Sequence, residues 1–193
     1  MRFRERCVAE ILSPEIARRI RVVVLDVDGV LTDGGVYMGE ADGAIVELKR
    51  FDILDQLGIK LLRLAGIHVS FVSGRVSPAN RRRAEELDVE FHEGPGGHKL
   101  ELVQALLERQ DADWSELACV CDDLADMAIL RRAALPVAVA NAVPEVDAVA
   151  VLRTQRPGGH GAVREFSETL LRARGEWNTL VAAYYRERDP EAA

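Results

Sequence analysis

The run Val22-Val23-Val24-Leu25 leads straight into Asp26-Val27-Asp28-Gly29-Val30-Leu31-Thr32-Asp33-Gly34, and this junction constrains the fold more than any other segment. A short apolar run bounded by turn-forming residues reads as a strand buried on both faces, the mark of a parallel sheet. Asp26 and Asp28 then stand at the strand's carboxyl end, the edge where open α/β sheets bind ligands. Two carboxylates held this close repel unless a cation joins them, so the segment points to a hard metal ion with oxygen ligands. The plainer alternative is a solvated turn rich in Asp and Gly.

Polar residues close several other apolar runs. Val69-Ser70-Phe71-Val72 meets Ser73-Gly74-Arg75, Leu117-Ala118-Cys119-Val120-Cys121 meets Asp122-Asp123, and Val137-Ala138-Val139-Ala140 meets Asn141. Each run has strand length and a following turn signal. Helical patterns lie between them, roughly over 51–65, 78–87, 98–110 and 124–134. This alternation predicts an α/β fold, a Rossmann-like parallel sheet with helices on both faces. One such sheet brings Asp26, Asp28, Ser73 and Asp122 to a single edge.

The net charge of −7 argues against a nucleic-acid partner, because gripping a phosphate backbone takes a basic face. Arg81-Arg82-Arg83 is followed by Glu85 and Glu86 and reads as a solvated helix face. With 193 residues, 48% hydrophobic and 30% charged, the chain is expected to form one globular domain over 1–193. No apolar stretch reaches the ~18 residues of a membrane span, and Arg2, Arg4, Glu5 and Arg6 are unlike a signal peptide. Cys7, Cys119 and Cys121 lack the spacing of a zinc site or redox pair, and His68, His92, His98 and His160 form no zinc-like pair. A reduced protein in the cytoplasm, with no membrane partner, is the expectation.

A Mg²⁺ ion between Asp26, the backbone carbonyl of Asp28 and Asp122 would neutralise the acids and let a phosphate approach. Asp26 is then placed to attack phosphorus and form an aspartyl-phosphate. Asp28, held away by the turn, is placed to protonate the leaving oxygen and later to deprotonate water. Phosphoryl transfer is mostly positioning and neutralisation of equatorial oxygens. The Ser73 hydroxyl and the Gly74 N–H are suitable donors for that purpose. Lys99, after Gly94-Pro95-Gly96-Gly97-His98, is a compact charge that can reach the same phosphate, or else a surface lysine on a helix's first turn. Asp123 and Asp126 are assigned to orienting Lys99 and metal-bound waters; the alternative is that they cap and charge a helix start.

Together these segments resemble the haloacid dehalogenase superfamily of phosphohydrolases. Asp26 through Gly34 is similar to its first motif, Ser73-Gly74-Arg75 to the second, Lys99 to the third, and Asp122-Asp123-Leu124-Ala125-Asp126 to the fourth. The resemblance implies a Rossmann-like fold and Mg²⁺ held by Asp26, Asp28 and Asp122. Within the superfamily the likeness is to the capless branch typified by 3-deoxy-D-manno-octulosonate 8-phosphate phosphatases. A predicted β-hairpin flap over about 35–48 carries it, with Val36-Tyr37-Met38 and Ala44-Ile45-Val46-Glu47 joined through Gly39–Gly43. So do the helix from Phe51 to Leu62 and the glycine-rich stretch Pro157-Gly158-Gly159-His160-Gly161-Ala162-Val163-Arg164-Glu165. The gaps from Asp28 to Ser73 and from Ser73 to Lys99 are too short for a separate cap domain.

That resemblance implies hydrolysis of a 3-deoxy-2-keto sugar acid phosphate in lipopolysaccharide biosynthesis. The alternatives are a nine-carbon substrate such as 2-keto-3-deoxynononate 9-phosphate, or a receiver-like or non-catalytic module. It also implies a homotetramer whose flap packs against other subunits; residues alone show a hairpin too small to stand unsupported. Thr32, Asp55, Lys60, Arg75, Gly158, Gly159 and Arg164 are candidate sugar contacts, with turns, helix starts and pairing to neighbouring charges as the alternatives. Cys121 stands where the fourth motif has Gly, Ala125 replaces a polar residue, and Asp52-Ile53-Leu54 and Gln56-Leu57 depart from the usual helix start. A C-terminal helical tail, about 174–193, places Trp177, Leu180, Val181 and Tyr184 at helical spacing. It packs on its own subunit or docks on a neighbour.

Overall fold

The structure, a computed structural model, describes residues 12–94, 96 and 98–189. Arg2, Arg4, Glu5, Arg6, Cys7, Pro95, Gly97 and the end of the C-terminal tail lie outside the described residues. In chain order the strands are β1 (Val22–Leu25), β2 (Tyr37–Ala41), β3 (Ala44–Leu48), β4 (His68–Ser73), β5 (Glu90–Glu93), β6 (Leu117–Cys121), β7 (Leu135–Ala138) and β8 (Leu152–Arg153). The helices are α1 (Pro14–Arg19), α2 (Ile53–Leu64), α3 (Pro78–Leu87), α4 (Leu100–Arg109), α5 (Met127–Leu130), α6 (Pro144–Asp147), α7 (Ala162–Arg174) and α8 (Trp177–Arg188). Six strands form one parallel sheet ordered β5-β4-β1-β6-β7-β8, while β2 and β3 make a separate antiparallel hairpin.

The chain runs outward from β1 through β4 to β5, then returns to β6 on the other flank of β1. That reversal makes the β1/β6 junction the topological switch point, where the crossovers diverge and a crevice opens at the strands' carboxyl ends. Asp26 and Asp122 each lie one residue beyond those two strands.

Alternate strand residues feed two cores. Val23 and Leu25 join Ile59 and Leu62 of α2 and Phe166 and Leu170 of α7 on one face. Val22 and Val24 join Leu106 and Leu107 of α4 and Ile129 of α5 on the other. Cys119 and Cys121 are free thiols buried in the second core. Each large apolar side chain buried this way contributes about 1.5–3 kcal/mol, so both helical layers hold the carboxyl edge of the sheet rigid. The caps follow from composition: Asp52 accepts the Leu54 N–H at 2.8 Å to start α2, and Ser77 accepts the Asn80 N–H at 3.2 Å to start α3.

Several details depart from expectation. The pattern over 124–134 resolves into a 3-10 turn (Leu124–Asp126) and the four-residue α5. Pro136 biases Leu135 toward extended backbone, so β7 starts there and not at Val137. The Pro136 carbonyl accepts the Val151 N–H, so its missing N–H faces the side where β8 pairs only Val137 and Ala138. The hairpin turn is shorter than expected. Asp42 and Gly43 both take positive φ, 53° and 76°, as a two-residue type I′ turn requires, which leaves Gly39 and Glu40 in the strand. Helix α8 packs on its own chain, with Trp177 buried beneath Arg164 and Arg172 at 5.2 and 5.0 Å. Among the described residues no helix is long and apolar enough to cross a membrane.

Candidate active site

The Asp26 N–H still donates to Val120 O at 3.0 Å, which keeps this residue in the register of the sheet. Its Oδ1 accepts the Val27 N–H at 2.7 Å and Lys99 Nζ at 2.8 Å. The chain then folds back, with the Leu31 and Thr32 N–H groups both donating to Val27 O at 3.0 Å. Thr32 is fully buried, and its hydroxyl donates to Val27 O while accepting the Gly29 and Gly34 N–H groups at 3.3 and 3.2 Å. Its side chain therefore holds the loop. Gly29 has φ +89°, and a Cβ there would fall 2.0 Å from Asp122 Oδ2. Only a glycine lets the Asp122 carboxylate come so close to this loop.

Lys99, 2% exposed, lies between Asp26 and Asp126, 2.8 Å from one and 2.9 Å from the other. Burial pulls its pKa down, but the two carboxylates outweigh that and hold it above the ordinary lysine value. Burial and then Asp26 push the Asp126 carboxyl up. Asp122 is also pushed up, to about 7, by burial and next by Asp26 and Asp123. Its Oδ1 is buried without a hydrogen-bond partner.

Three acids and one lysine leave this crevice short of positive charge, and the orphaned Asp122 oxygen fits a hard divalent cation. No three His, Cys, Asp or Glu side chains form a ready cage among the described residues. Two carboxylates and the Asp28 carbonyl suit Mg²⁺, which keeps several of its waters. A carboxyl with a raised folded pKa favours the fold when protonated. Asp122 thus supports metal-free stability at pH below about 4 and withdraws it as pH rises to about 7. At pH 7.5, Mg²⁺ at a hundred times its Kd should add about 2.7 kcal/mol in thermal melts. Asp122→Asn should raise the metal-free Tm and erase the Mg²⁺ response. A full response in that variant would remove Asp122 from the cation site.

Asp28 faces a different lysine. Lys49 Nζ, at the end of the hairpin, donates to Asp28 Oδ1 at 2.6 Å and to Asn80 Oδ1 at 3.0 Å. Ser73 Oγ lies 3.5 Å from Asp28 Oδ2 and accepts the Arg75 N–H at 3.1 Å. Gly74 follows Ser73 at the end of β4. Arg75 extends toward Glu47 of the hairpin, 3.5 Å away, with its side chain about half exposed.

The glycine-rich stretch braces the first loop from above. Gly159 N–H donates to Val30 O at 3.1 Å, and Asn141 joins the two by donating to Gly29 O at 2.9 Å and accepting the Gly158 N–H at 2.7 Å. A Cβ on Gly158 would lie 1.8 Å from Gly29 O, so side chains are excluded at this contact. Arg50 donates to Gly159 O.

The remaining candidates do not join the cluster. Asp123 accepts the Leu124 N–H at 2.7 Å and caps the 3-10 turn. Asp55 is buried, accepts the Arg164 N–H at 2.8 Å, and has its carboxyl pushed up to about 7 by burial; it ties the start of α2 to the start of α7. The Arg164 guanidinium lies over Trp177, and Lys60 pairs with Glu187 at 3.3 Å and sits over the Tyr184 ring. Lys49, Asn80 and Asn141 were not among the sequence candidates. Asn141 had a visible signal, since it closes an apolar run as Ser73 and Asp122 do.

Comparison with known proteins shows the family and the fold. Residues 93–163 match the haloacid dehalogenase-like hydrolase family. Over 169 residues the chain is 38% identical to the 3-deoxy-D-manno-octulosonate 8-phosphate phosphatase of Salmonella typhimurium, covering 86% of this chain and 88% of that relative. A probable yrbi family phosphatase from Pseudomonas syringae superposes with a TM-score of 0.82 at 38% identity, over 89% of this chain and 96% of that one. The 3-deoxy-D-manno-octulosonate 8-phosphate phosphatase of Moraxella catarrhalis, solved with a magnesium ion, a phosphate ion and a KDO molecule, gives 0.81 at 32% identity, over 89% and 97%.

Proposed function

The chain belongs to the haloacid dehalogenase-like hydrolases, among the 3-deoxy-D-manno-octulosonate 8-phosphate phosphatases, and from that premise we propose that it hydrolyses this eight-carbon keto-sugar acid phosphate with Mg²⁺. The observation that carries the reading is the meeting of Asp26, Lys99 and the unpartnered Asp122 oxygen at the β1/β6 crevice. We assign Asp26 as the nucleophile. With Oδ1 held by Val27 N–H and Lys99, Oδ2 attacks phosphorus and the sugar oxygen departs. Asp28 protonates that oxygen and then takes a proton from the water that cleaves the aspartyl-phosphate. Lys99, Ser73 and the Gly74 N–H hold the phosphate oxygens, while Asp126 orients Lys99. Asp26, Asp122 and the Asp28 carbonyl would hold Mg²⁺, which would supply positive charge beside the acids and the phosphate.

The reading extends to the whole chain, 1–193, as one catalytic domain at work in the cytoplasm on a soluble sugar phosphate. It includes a homotetramer. Tyr37, Met38, Ile45 and Leu48 of the flap are 59%, 64%, 77% and 62% exposed, an apolar surface suited to covering by other subunits. Sedimentation equilibrium should give four chain masses, and a monomer at micromolar concentration would sink the assembly. The activity is tested by phosphate release from 3-deoxy-D-manno-octulosonate 8-phosphate, 2-keto-3-deoxynononate 9-phosphate and neutral sugar phosphates, with and without Mg²⁺. Metal-dependent release that favours the eight-carbon acid is expected. Preference for the nine-carbon acid would reassign the substrate, and no release from any ester would overturn the phosphatase reading.

A further inference from the structure

Two carboxylates separated by one residue at a strand end would compete for the same cation, yet Asp26 and Asp28 are engaged by different buried lysines. We propose that Lys49 is a positioning residue for Asp28, carried in by the root of the hairpin, and that it holds the acid/base apart from the cation site. The proposal rests on the phosphatase reading. The Lys49 side chain has no solvent exposure. A buried ammonium is costly unless all three of its N–H groups find acceptors. Asp28 Oδ1 and Asn80 Oδ1 accept from it at 2.6 and 3.0 Å, and the Glu47 carboxylate adds an ion pair at 3.5 Å.

The ring closes on the far side, where Asn80 Nδ2 donates to Ser73 Oγ at 3.3 Å and Ser73 Oγ lies 3.5 Å from Asp28 Oδ2. Before phosphate binds, both Asp28 oxygens thus face fixed groups; once the Ser73 hydroxyl turns to the phosphate, Lys49 stays on Oδ1, and a swing toward Asp26 and Asp122 would break that contact. The hairpin root is itself anchored, since the Ser77 hydroxyl donates to Glu47 and Arg75 reaches the same carboxylate. Proton transfer to a leaving group needs a carboxyl of fixed orientation, and the contacts to Lys49 and Ser73 fix that of Asp28.

The test compares Lys49→Met, Lys49→Gln and Lys49→Arg on two esters. A sugar phosphate loses a poor alkoxide leaving group that needs a proton, whereas 4-nitrophenyl phosphate loses a stable phenolate that does not. The value of kcat/KM reports only the steps through leaving-group departure. For Met and Gln, kcat/KM on the sugar phosphate should fall about 100-fold, carried by kcat with KM little changed, while the aryl ester falls less than about tenfold. Lys49→Arg should recover most of the loss. Measuring Gln beside Met keeps the comparison available if the apolar variant does not fold. Equal losses on both esters, or none on either, would overturn the proposal. A failure of the phosphatase reading appears instead in the unsubstituted chain, as no release from either ester.

Discussion

Asp26→Asn should lose phosphate release by roughly 10⁴–10⁶-fold, the scale seen when a covalent nucleophile is removed. The amide oxygen still accepts the Val27 N–H and Lys99 Nζ, the two bonds that fix this side chain. What disappears is the anionic oxygen that attacks phosphorus. The change also removes one negative charge from beside Asp122 and Asp126, both of which Asp26 pushes toward protonation. The melting temperature should therefore stay level or rise. Loss of turnover together with collapse of the fold would point to a structural role, and turnover near that of the unsubstituted chain would end the nucleophile assignment.

Asp28→Asn should slow release from the sugar phosphate by roughly 10²–10⁴-fold, the usual weight of a positioned acid or base. The variant separates the two steps that Asp28 serves. An aryl phosphate needs no proton on its leaving group, so its first step should proceed. The attack of water on the aspartyl-phosphate still needs the base. Mixing the variant with 4-nitrophenyl phosphate should give a burst of 4-nitrophenol equal to the enzyme concentration, then slow turnover. Rates unchanged in both phases would take Asp28 out of the mechanism.

Much of the catalytic edge was legible in the residues because parallel strands are buried on both faces and end in turn signals. Asp26, Asp28, Asp122 and Ser73 could be placed together from that rule; Lys99 at the head of the next helix also suited a surface lysine, and only the family resemblance assigned it to the site. The parts that escaped are those decided by long-range packing. Strand β5 is Glu90-Phe91-His92-Glu93, whose charges suit a sheet edge but hide the strand from a hydrophobic count. Strand β8 is two residues long, too short for any periodicity.

Lys49 is 21 positions from Asp28, and only the hairpin's closure brings them together. Helical spacing showed that Lys60 lies on a helix, but the docking of α8 decides that it meets Glu187. Thr32 sits within the motif that carries the chemistry, yet its hydroxyl is consumed by three backbone groups of its own loop. Motif membership located Thr32 and Lys60 and packing assigned their tasks, whereas Lys49 lay outside every motif.

The most direct measurement is a chemical trap of the covalent intermediate. The protein with Mg²⁺ is mixed with 3-deoxy-D-manno-octulosonate 8-phosphate, quenched within milliseconds in acid, and reduced with borohydride. An acyl phosphate on Asp26 is then converted to homoserine, which mass spectrometry of the peptide spanning β1 identifies. Homoserine at residue 26, dependent on both Mg²⁺ and substrate, is the expected result. Rapid phosphate release with residue 26 left as aspartate throughout would contradict covalent transfer through Asp26.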